Sequence, residues 1–447
     1  MFRRSMLALA IAAALIACTI GTPTCWAAAS DEATTALARK VAELIGQLDA
    51  PRLADRDAAE KVLMALGPEA LDVLPRGEAK HSAEVKQRLA RVRRQLELAF
   101  AKSAAKASLI TLADAERPLS EVLAAIAKQS GNPLVDGRKR GPEGKPPADP
   151  RIRVAFDKTP FWPALDATLD AAGASLEVRD AQGDDPLRLV VVERGETAKP
   201  RASDAVYRGP LRFAVVGADV KRAADDAETL ARIVLKAAWE PRLKPIALSL
   251  AAKDLSAVDD QQRPLRIASA EAQWATSSLG GQGAMRLTLP FVLARGDAKS
   301  LAVRGRMAAL LAGANVAFRF ERLSETRPGA AVASQKMGDA TVRLESFRRV
   351  GGRWLARVRV IYDNPQEAVQ SHYDWLYESR ATLTAVTEQR KPVEYDSQAA
   401  EDGVIATYAF AAEDADKPGE LTLVYSTPAV IMTVPFEFEF ADIALPR

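Results

Sequence analysis

Acid–base and nucleophilic chemistry near neutral pH draws mainly on histidine and cysteine, and this chain is short of both. It has two histidines, His81 and His372, and two cysteines, Cys18 and Cys25. A serine or cysteine nucleophile needs a base within hydrogen-bond reach, and no Gly-x-Ser-x-Gly stretch nominates one. His81 sits in the polar Lys80-His81-Ser82 approach to a helix, where an imidazole is simply solvated. His372 opens Ser371-His372-Tyr373-Asp374-Trp375-Leu376-Tyr377. Read as a strand, that run sets Tyr373, Trp375 and Tyr377 on one face and His372 with Asp374 on the other. Three aromatic rings on one face make either a platform for a sugar or peptide or part of a sandwich core, and the core reading is preferred.

Metal and phosphate chemistry is equally thin. Zinc would lack its usual thiolates if both cysteines leave with an export segment. Gly280-Gly281-Gln282-Gly283 has neither the lysine nor the strand–helix setting of a phosphate-cradling loop. The acidic doublets Asp184-Asp185, Asp225-Asp226 and Asp259-Asp260 could bind Ca²⁺, but such doublets in turns are turn-formers first. Arg138-Lys139-Arg140 lies beside Gly and Pro and reads as a solvated loop. The expectation is therefore no catalytic residue, no metal and no cofactor. A hydrolase that assembles carboxylates from separate loops is the alternative that spacing cannot test.

The elements that would have to position any site begin after an export segment. Arg3 and Arg4 form a positive start, Met6 to Ala17 an apolar run too short to be a good membrane span, and Ala27-Ala28-Ala29 a small-residue exit. Residues 1–29 thus read as a signal peptide. Leu15-Ile16-Ala17-Cys18 also resembles the lipobox of bacterial lipoproteins, which implies an acylated Cys18 as the first mature residue and a membrane contact through that anchor alone. Cleavage after Ala27 to Ala29 instead leaves no cysteine and no disulfide. With 48% hydrophobic and 27% charged residues the remainder is ordinary globular material, long enough for several domains. The net charge is +3, and losing Arg3 and Arg4 takes it to about +1. Nothing in that balance suggests nucleic acid as a partner.

Leu109 to Val192 carries the clearest architecture. Leu109, Ile110 and Leu112 make a short strand, and Asp114 to Arg117 a turn into Pro118. Leu119, Val122, Leu123, Ile126 and Ala127 follow at helical spacing, Gly131 stops the helix, and Pro133-Leu134-Val135 makes a strand. Ile152, Val154 and Phe156 then alternate, and Trp162, Leu165, Leu169 and Ala172 stripe a second helix ended by Gly173. Strands at Leu176–Val178 and Leu187–Val192 complete the second half. The runs ADAERPLSEVLAAIAKQSG and IRVAFDKTPFWPALDATLDAAG make the stretch resemble the short N-terminal module of secretins and TonB-dependent signalling receptors, over about a fifth of the chain. Residues 137–150 depart from that pattern as a Gly/Pro/charged insertion expected to be flexible. The resemblance implies protein–protein contact at a membrane. Leu187, Leu189, Val190, Val191 and Val192 form the most strand-prone run. At an edge it would be a template for strand addition by a partner; at the centre its ladder would be satisfied internally.

Residues 30–106 are patterned as helices, and QLDAPRLADRDAAEKVLMALGPEALDVL resembles a HEAT-type repeat, about one and a half of them where three usually make a solenoid. A small bundle or cap is expected. Arg194 to Ala205 is polar and Pro-containing, the best linker. Beyond it the period is two: Trp354, Ala356, Val358, Val360 and Tyr362 share one face with Arg357 and Arg359 opposite, and Phe436, Phe438 and Phe440 alternate with Glu437 and Glu439. Turn signals suggest two antiparallel β-sandwiches at 206–322 and 323–447, with one larger barrel as the alternative. The predicted class is multidomain α+β: helical segment (30–106), β-α-β/β-α-β module (107–193), linker (194–205) and two sandwiches.

The function expected from all this is a non-catalytic bacterial envelope protein, in the periplasm or lipid-anchored, that binds an envelope protein partner. Carbohydrate binding through Tyr373, Trp375 and Tyr377 is the rival from another class. Export makes a direct prediction: mass spectrometry of the native protein should find an N-terminus near residue 28–30 or an acylated Cys18, and an intact Met1 would refute it.

Overall fold

The computed structural model describes residues 24–75, 81–138, 148–182, 186–222, 229–277, 281–293, 298–326, 333–363, 380–385, 388–400 and 403–446, with side chains from 35 onward except at 222, 277, 380 and 399. The chain is multidomain α+β, mainly β with an N-terminal helical part. Its contacts divide it into two units, residues 1–89 and 90–447.

The first unit is helical. Helix α1 (Thr24–Gln47) runs through the alanines expected to end the export segment, because alanine is the best helix former whatever its other role. Helix α2 (Leu53–Ala65) packs on α1; Val41, Leu44, Ile45 and Leu48 are buried as their spacing predicts, whereas on α2 the buried face is Ala59 and Leu63, and Leu53, Ala58 and Val62, which the apolar pattern also assigned to it, are exposed. A short 3₁₀ turn (Pro68–Asp72) follows. Helix α3 (Ala83–Ala104) begins at Ser82, whose Oγ accepts the Val85 amide at 3.4 Å. One polar cluster ties the unit. Arg88, only 6% exposed, donates to Asp57 at 2.8 Å, Glu60 at 2.5 Å and Glu84 at 3.0 Å.

The second unit opens with the two-half module. Strand β1 (Leu109–Pro118), helix α4 (Leu119–Ser130) and strand β2 (Leu134–Asp136) form the first half. Strand β3 (Arg151–Pro160), helix α5 (Phe161–Ala171), strand β4 (Ala174–Arg179) and strand β5 (Arg188–Glu193) form the second. The halves interleave. β1 pairs antiparallel with β3, while β2 pairs in parallel with β5, which pairs antiparallel with β4. The turn expected at Asp114–Arg117 is strand instead, since Ala115, Glu116 and Arg117 register with Val154, Arg153 and Ile152 and Asp114 pairs with Arg153 at 2.7 Å. Asp149, from the end of the 137–150 insertion, caps α4 by accepting the Ser120 amide (2.9 Å) and hydroxyl (2.6 Å); residues 139–147 lie outside the described residues.

The strands that follow do not divide at residue 322. Strands β6 (Ala205–Arg208), β7 (Leu211–Arg222), β8 (Thr229–Trp239), β9 (Pro245–Ala251), β10 (Leu255–Asp259), β11 (Pro264–Ile267), β12 (Gln273–Ser277), β13 (Ala284–Leu293) and β14 (Ser300–Ala312) form one sheet. Its missing member comes from the far end of the chain: β24 (Ile431–Ala444) runs antiparallel along the whole of β14. β6 and β7 come back against β24, so the sheet wraps one core, with Phe213 stacked on Phe438 at 4.7 Å. This corrects the expected sandwich at 206–322. The alternating Phe436, Phe438 and Phe440 point inward and fill that core, while Glu437 and Glu439 point out to Arg306 and Arg304 on β14. The long free edge of β14 needed this complementary partner.

The exchange runs both ways. Strand β15 (Asn315–Phe320), assigned from sequence to the first sandwich, pairs with β23 (Leu421–Pro428) in the second. There the sheet β15-β23-β19-β20, with β19 (Arg380–Ala385) and β20 (Glu388–Arg390), faces a five-stranded sheet of β16 (Ala333–Met337), β17 (Ala340–Val350), β18 (Arg353–Tyr362), β22 (Gly403–Ala411) and β21 (Glu394–Ala400). Between them Trp354, Ala356, Val358, Val360 and Tyr362 are buried as their alternation predicted, Trp354 stacked on Phe347 at 4.8 Å. Behind them Arg357 and Arg359 both pair with Glu345. Asp416 accepts from Trp354 Nε1 (2.8 Å), Arg390 (2.6 Å) and the Glu413 amide (2.8 Å). Burial opposes its ionisation, but those donors prevail and hold its pKa at about 2.

Arg88 in the helical unit sets a measurable consequence. Arg88→Ala leaves Glu60 buried without its cation, a change expected to cost about 3–5 kcal/mol. Circular dichroism on residues 30–106 should show early loss of helix; unchanged melting would refute the role of this cluster.

Candidate functional site

The strongest concentration of buried polar chemistry lies where the module meets the wrapped sheet. Helix α5 presents Trp162, Asp166 and Asp170 four residues apart, hence on one face. Trp162 Nε1 donates to the Pro210 carbonyl at 2.9 Å. Asp166 has no exposed surface, and its two oxygens accept from Arg201 Nε (2.8 Å), Arg212 Nε (2.6 Å) and the Tyr207 hydroxyl (2.8 Å). Asp170 pairs with Arg194 and accepts the amides of Arg201 (2.7 Å) and Ala202 (3.1 Å). Residues 194–205 are therefore not the free linker their composition suggested. Both ends are pinned to α5, because two aspartates one turn apart supply the acceptors that the linker's arginines and amides need.

A second buried cluster sits at the end of β8. Glu240, fully buried, accepts from the Ser108 amide (3.0 Å) and hydroxyl (2.5 Å), Asn132 Nδ2 (3.0 Å) and Arg242 Nε (2.6 Å). Asn132 Oδ1 in turn accepts the Arg242 amide at 2.9 Å. Apolar packing continues across the same junction: Ala238 of β8 belongs to the module's core, with Tyr207 and Ala284 against it.

Burial and neighbouring cations disturb the basic groups here. Desolvation pulls the Arg201 guanidinium below its ordinary value, and Arg212 adds to the effect against the attraction of Asp166. Lys236 on β8 is lowered by burial first, then by Arg201, Arg212 and Arg286. Burial and the Asp166 carboxylate both push the Tyr207 phenol up.

On the outer face of β10, β14 and β24 lies an open groove of about 450 Å³. Its floor is the ladder of ion pairs Arg304–Glu439 and Arg306–Glu437, each 2.7 Å, and its rim carries Arg208, Lys253 and Asp254. These pairs are half-exposed and screened by water, so each is worth at most about 1 kcal/mol.

The residues singled out from sequence fare differently. Leu187 precedes β5, and Leu189, Val190, Val191 and Val192 lie on it, between β2 and β4. That overturns the edge-strand alternative: Leu189, Val190 and Val191 are buried and their ladder is paired on both sides, so they offer no template to a partner. The run's high strand propensity reflects burial on a central strand. Cys18, His372, Tyr373, Trp375 and Tyr377 lie outside the described residues, as do the doublets Asp184-Asp185 and Asp225-Asp226. Asp259 is a turn-former, accepting the Gln261 (3.0 Å) and Arg263 (2.9 Å) amides. Gly281 and Gly283 serve close packing against Ala181, Val178 and Leu187. Among the described residues no group of three acidic, histidine or cysteine side chains could hold a metal, and no helix is long and apolar enough to cross a membrane.

Neither Asp166 nor Glu240 was identified in advance. The available signal was Asp166 and Asp170 breaking an otherwise apolar helix face; Glu240, after the apolar run of β8, gave none.

Comparison with known proteins adds no kinship: no family model matches the chain, and no curated protein matches it.

One buried group is titratable near neutrality. Glu97, on the part of α3 within the second unit, is wholly buried, and neither carboxyl oxygen has a hydrogen-bond partner among the described residues. It packs against Gly338, beside the Arg94–Asp339 pair at 2.7 Å. Burial raises its pKa to about 7, with Arg93 opposing and Asp339 reinforcing the shift. The folded carboxyl thus keeps a proton that the unfolded chain loses near its ordinary 4.5. The folded state binds more protons between those values, so stability falls as pH rises through that window, by on the order of 3 kcal/mol, and is flat above it. Glu97→Gln should flatten the slope in urea denaturation between about pH 5 and about pH 8; a slope unchanged from wild type would refute the assignment.

Proposed function

We propose that the chain is a non-catalytic, exported protein of the bacterial cell envelope that works by holding a partner protein. The observation that carries this reading is the junction just described. Asp166 and Glu240, both wholly buried, fix the module against the wrapped sheet through Arg201, Arg212, Tyr207, Ser108, Asn132 and Arg242. Buried ionic clusters contribute orientation more readily than stability. A domain held in one orientation by them suits display of a docking surface better than a tethered arm would. Apart from Glu97, which stands alone in its own pocket of the fold, the buried carboxylates Asp166, Glu240, Asp259 and Asp416 are each committed to an arginine, which favours a structural over a hydrolytic use of them. With β5 internal, strand addition at the module would use an edge strand, and of the two edges of its sheet, β2 and β4, we take β2, where Val135 is 41% exposed.

The test is a photo-cross-linking residue placed at Val135, and separately at Tyr395 on the edge strand β21, in the intact chain expressed in its own cells. Val135 should capture one envelope protein reproducibly and Tyr395 should not. No capture at Val135, or the same set of proteins at both positions, would overturn the reading.

A further inference from the structure

The junction holds more positive charge than its carboxylates neutralise. On the wrapped sheet, Lys236 of β8 lies directly opposite Ala214 of β7 and Arg286 of β13, and Arg212 lies opposite Ala238. Their chain neighbours Phe213, Leu235, Ala237 and Leu287 are buried in the sheet's own core, so Arg212, Lys236 and Arg286 share the outer face, beside the module. Two like charges directly opposite on a ladder repel, yet Lys236 and Arg286 are such a pair. Arg201 joins them from residues 194–205, fixed there by Asp166.

Of the nearby carboxylates, Asp170 is taken up by Arg194 and by the amides of Arg201 and Ala202, which leaves Asp166 and Asp180 to face these four cations. Asp166 is shared between Arg201 and Arg212. Asp180, at the end of β4, spends one oxygen on the Gly283 amide at 2.9 Å. Four cations therefore stand against two anions, and neither Lys236 nor Arg286 has an ion-pair or hydrogen-bond partner among the described residues. Lys236 is half-buried and Arg286 exposed, and like charges held directly opposite each other repel unless an anion meets them.

The geometry points to an oxyanion site at this junction, taking a phosphate or sulfate group with Lys236 and Arg286 as its main ligands and Arg201 behind them. A doubly charged group matches the surplus, and guanidinium and ammonium donors suit its oxygens. The site is independent of the partner-holding role. The group comes either as a free ion or on a lipid headgroup.

The experiment uses the full exported chain. Thermal unfolding is followed against inorganic phosphate, sulfate and, at matched ionic strength, chloride; co-sedimentation is measured with vesicles of phosphatidic acid, whose phosphomonoester carries the second charge, in phosphatidylcholine. Lys236→Met and Arg286→Met keep the aliphatic stems, and Arg304→Met, in the separate groove, is the control. A saturable rise in melting temperature with phosphate or sulfate is expected. Its half-saturating concentration should rise about tenfold in either variant, from loss of one charged hydrogen bond, and stay unchanged in the control. Without anion, Lys236→Met should melt no lower than wild type because a repulsion is removed; a merely structural lysine would give a drop. A response to the free ions alone assigns the free ion, and Lys236-dependent vesicle capture alone assigns the headgroup. Absence of any Lys236-dependent response, or a lowered melting temperature in Lys236→Met without anion, overturns the site.

Discussion

One carboxylate, Asp166, organises the larger unit of this protein. A charged group with no exposed surface is tolerated only where its lone pairs meet donors, and Asp166 meets three that come from Arg201, Tyr207 and Arg212. Those three reach it from the connecting segment, β6 and β7, while the carboxylate itself is carried by α5. One side chain thereby fixes how the module leaves its last strand, how the connecting segment runs and where the wrapped sheet begins. Hydrophobic contact through Ala238, Tyr207 and Ala284 supplies adhesion, but apolar surfaces can slide, whereas three directional bonds to one buried carboxylate cannot.

The same logic of commitment recurs in the β-rich part. β15 and β24 trade places between the wrapped sheet and the sandwich, so the chain crosses between the two bodies on the way out and again on the way back. The crossing points touch: Gly313 donates its amide to the Val430 carbonyl at 2.8 Å. Neither body is complete without a strand from the other's stretch of sequence. Folding of the wrapped sheet must therefore wait for nearly the last residues, which raises the share of long-range contacts and is expected to slow it.

Periodicity made much of this legible. The alternation of Trp354 to Tyr362, the helix stripes of α4 and α5, and the glycine stop at Gly131 were all readable because each depends on neighbours in sequence. What periodicity cannot show is which strand pairs with which. Phe436, Phe438 and Phe440 announced a half-buried strand, but only the long complementary edge of β14 determined whose core they fill. Likewise Leu187–Val192 looked suited to an edge or a centre equally well, since propensity is indifferent to what lies on either side. The linker at 194–205 was misjudged because polarity alone reads as exposure; its arginines were bound for aspartates on a helix some thirty residues earlier. Asp166 itself, an acid on an apolar face, was the visible clue that this helix packs against basic groups.

The claim most open to direct attack is that the module and the wrapped sheet are locked into one body. Differential scanning calorimetry of the chain with Asp166→Leu beside the wild type measures it. If the junction is locked, the wild-type module and sheet unfold in one transition, and the substitution splits off an earlier one carrying the module's share of the enthalpy. Two separate transitions in the wild type, or an unsplit profile in the variant, would contradict it.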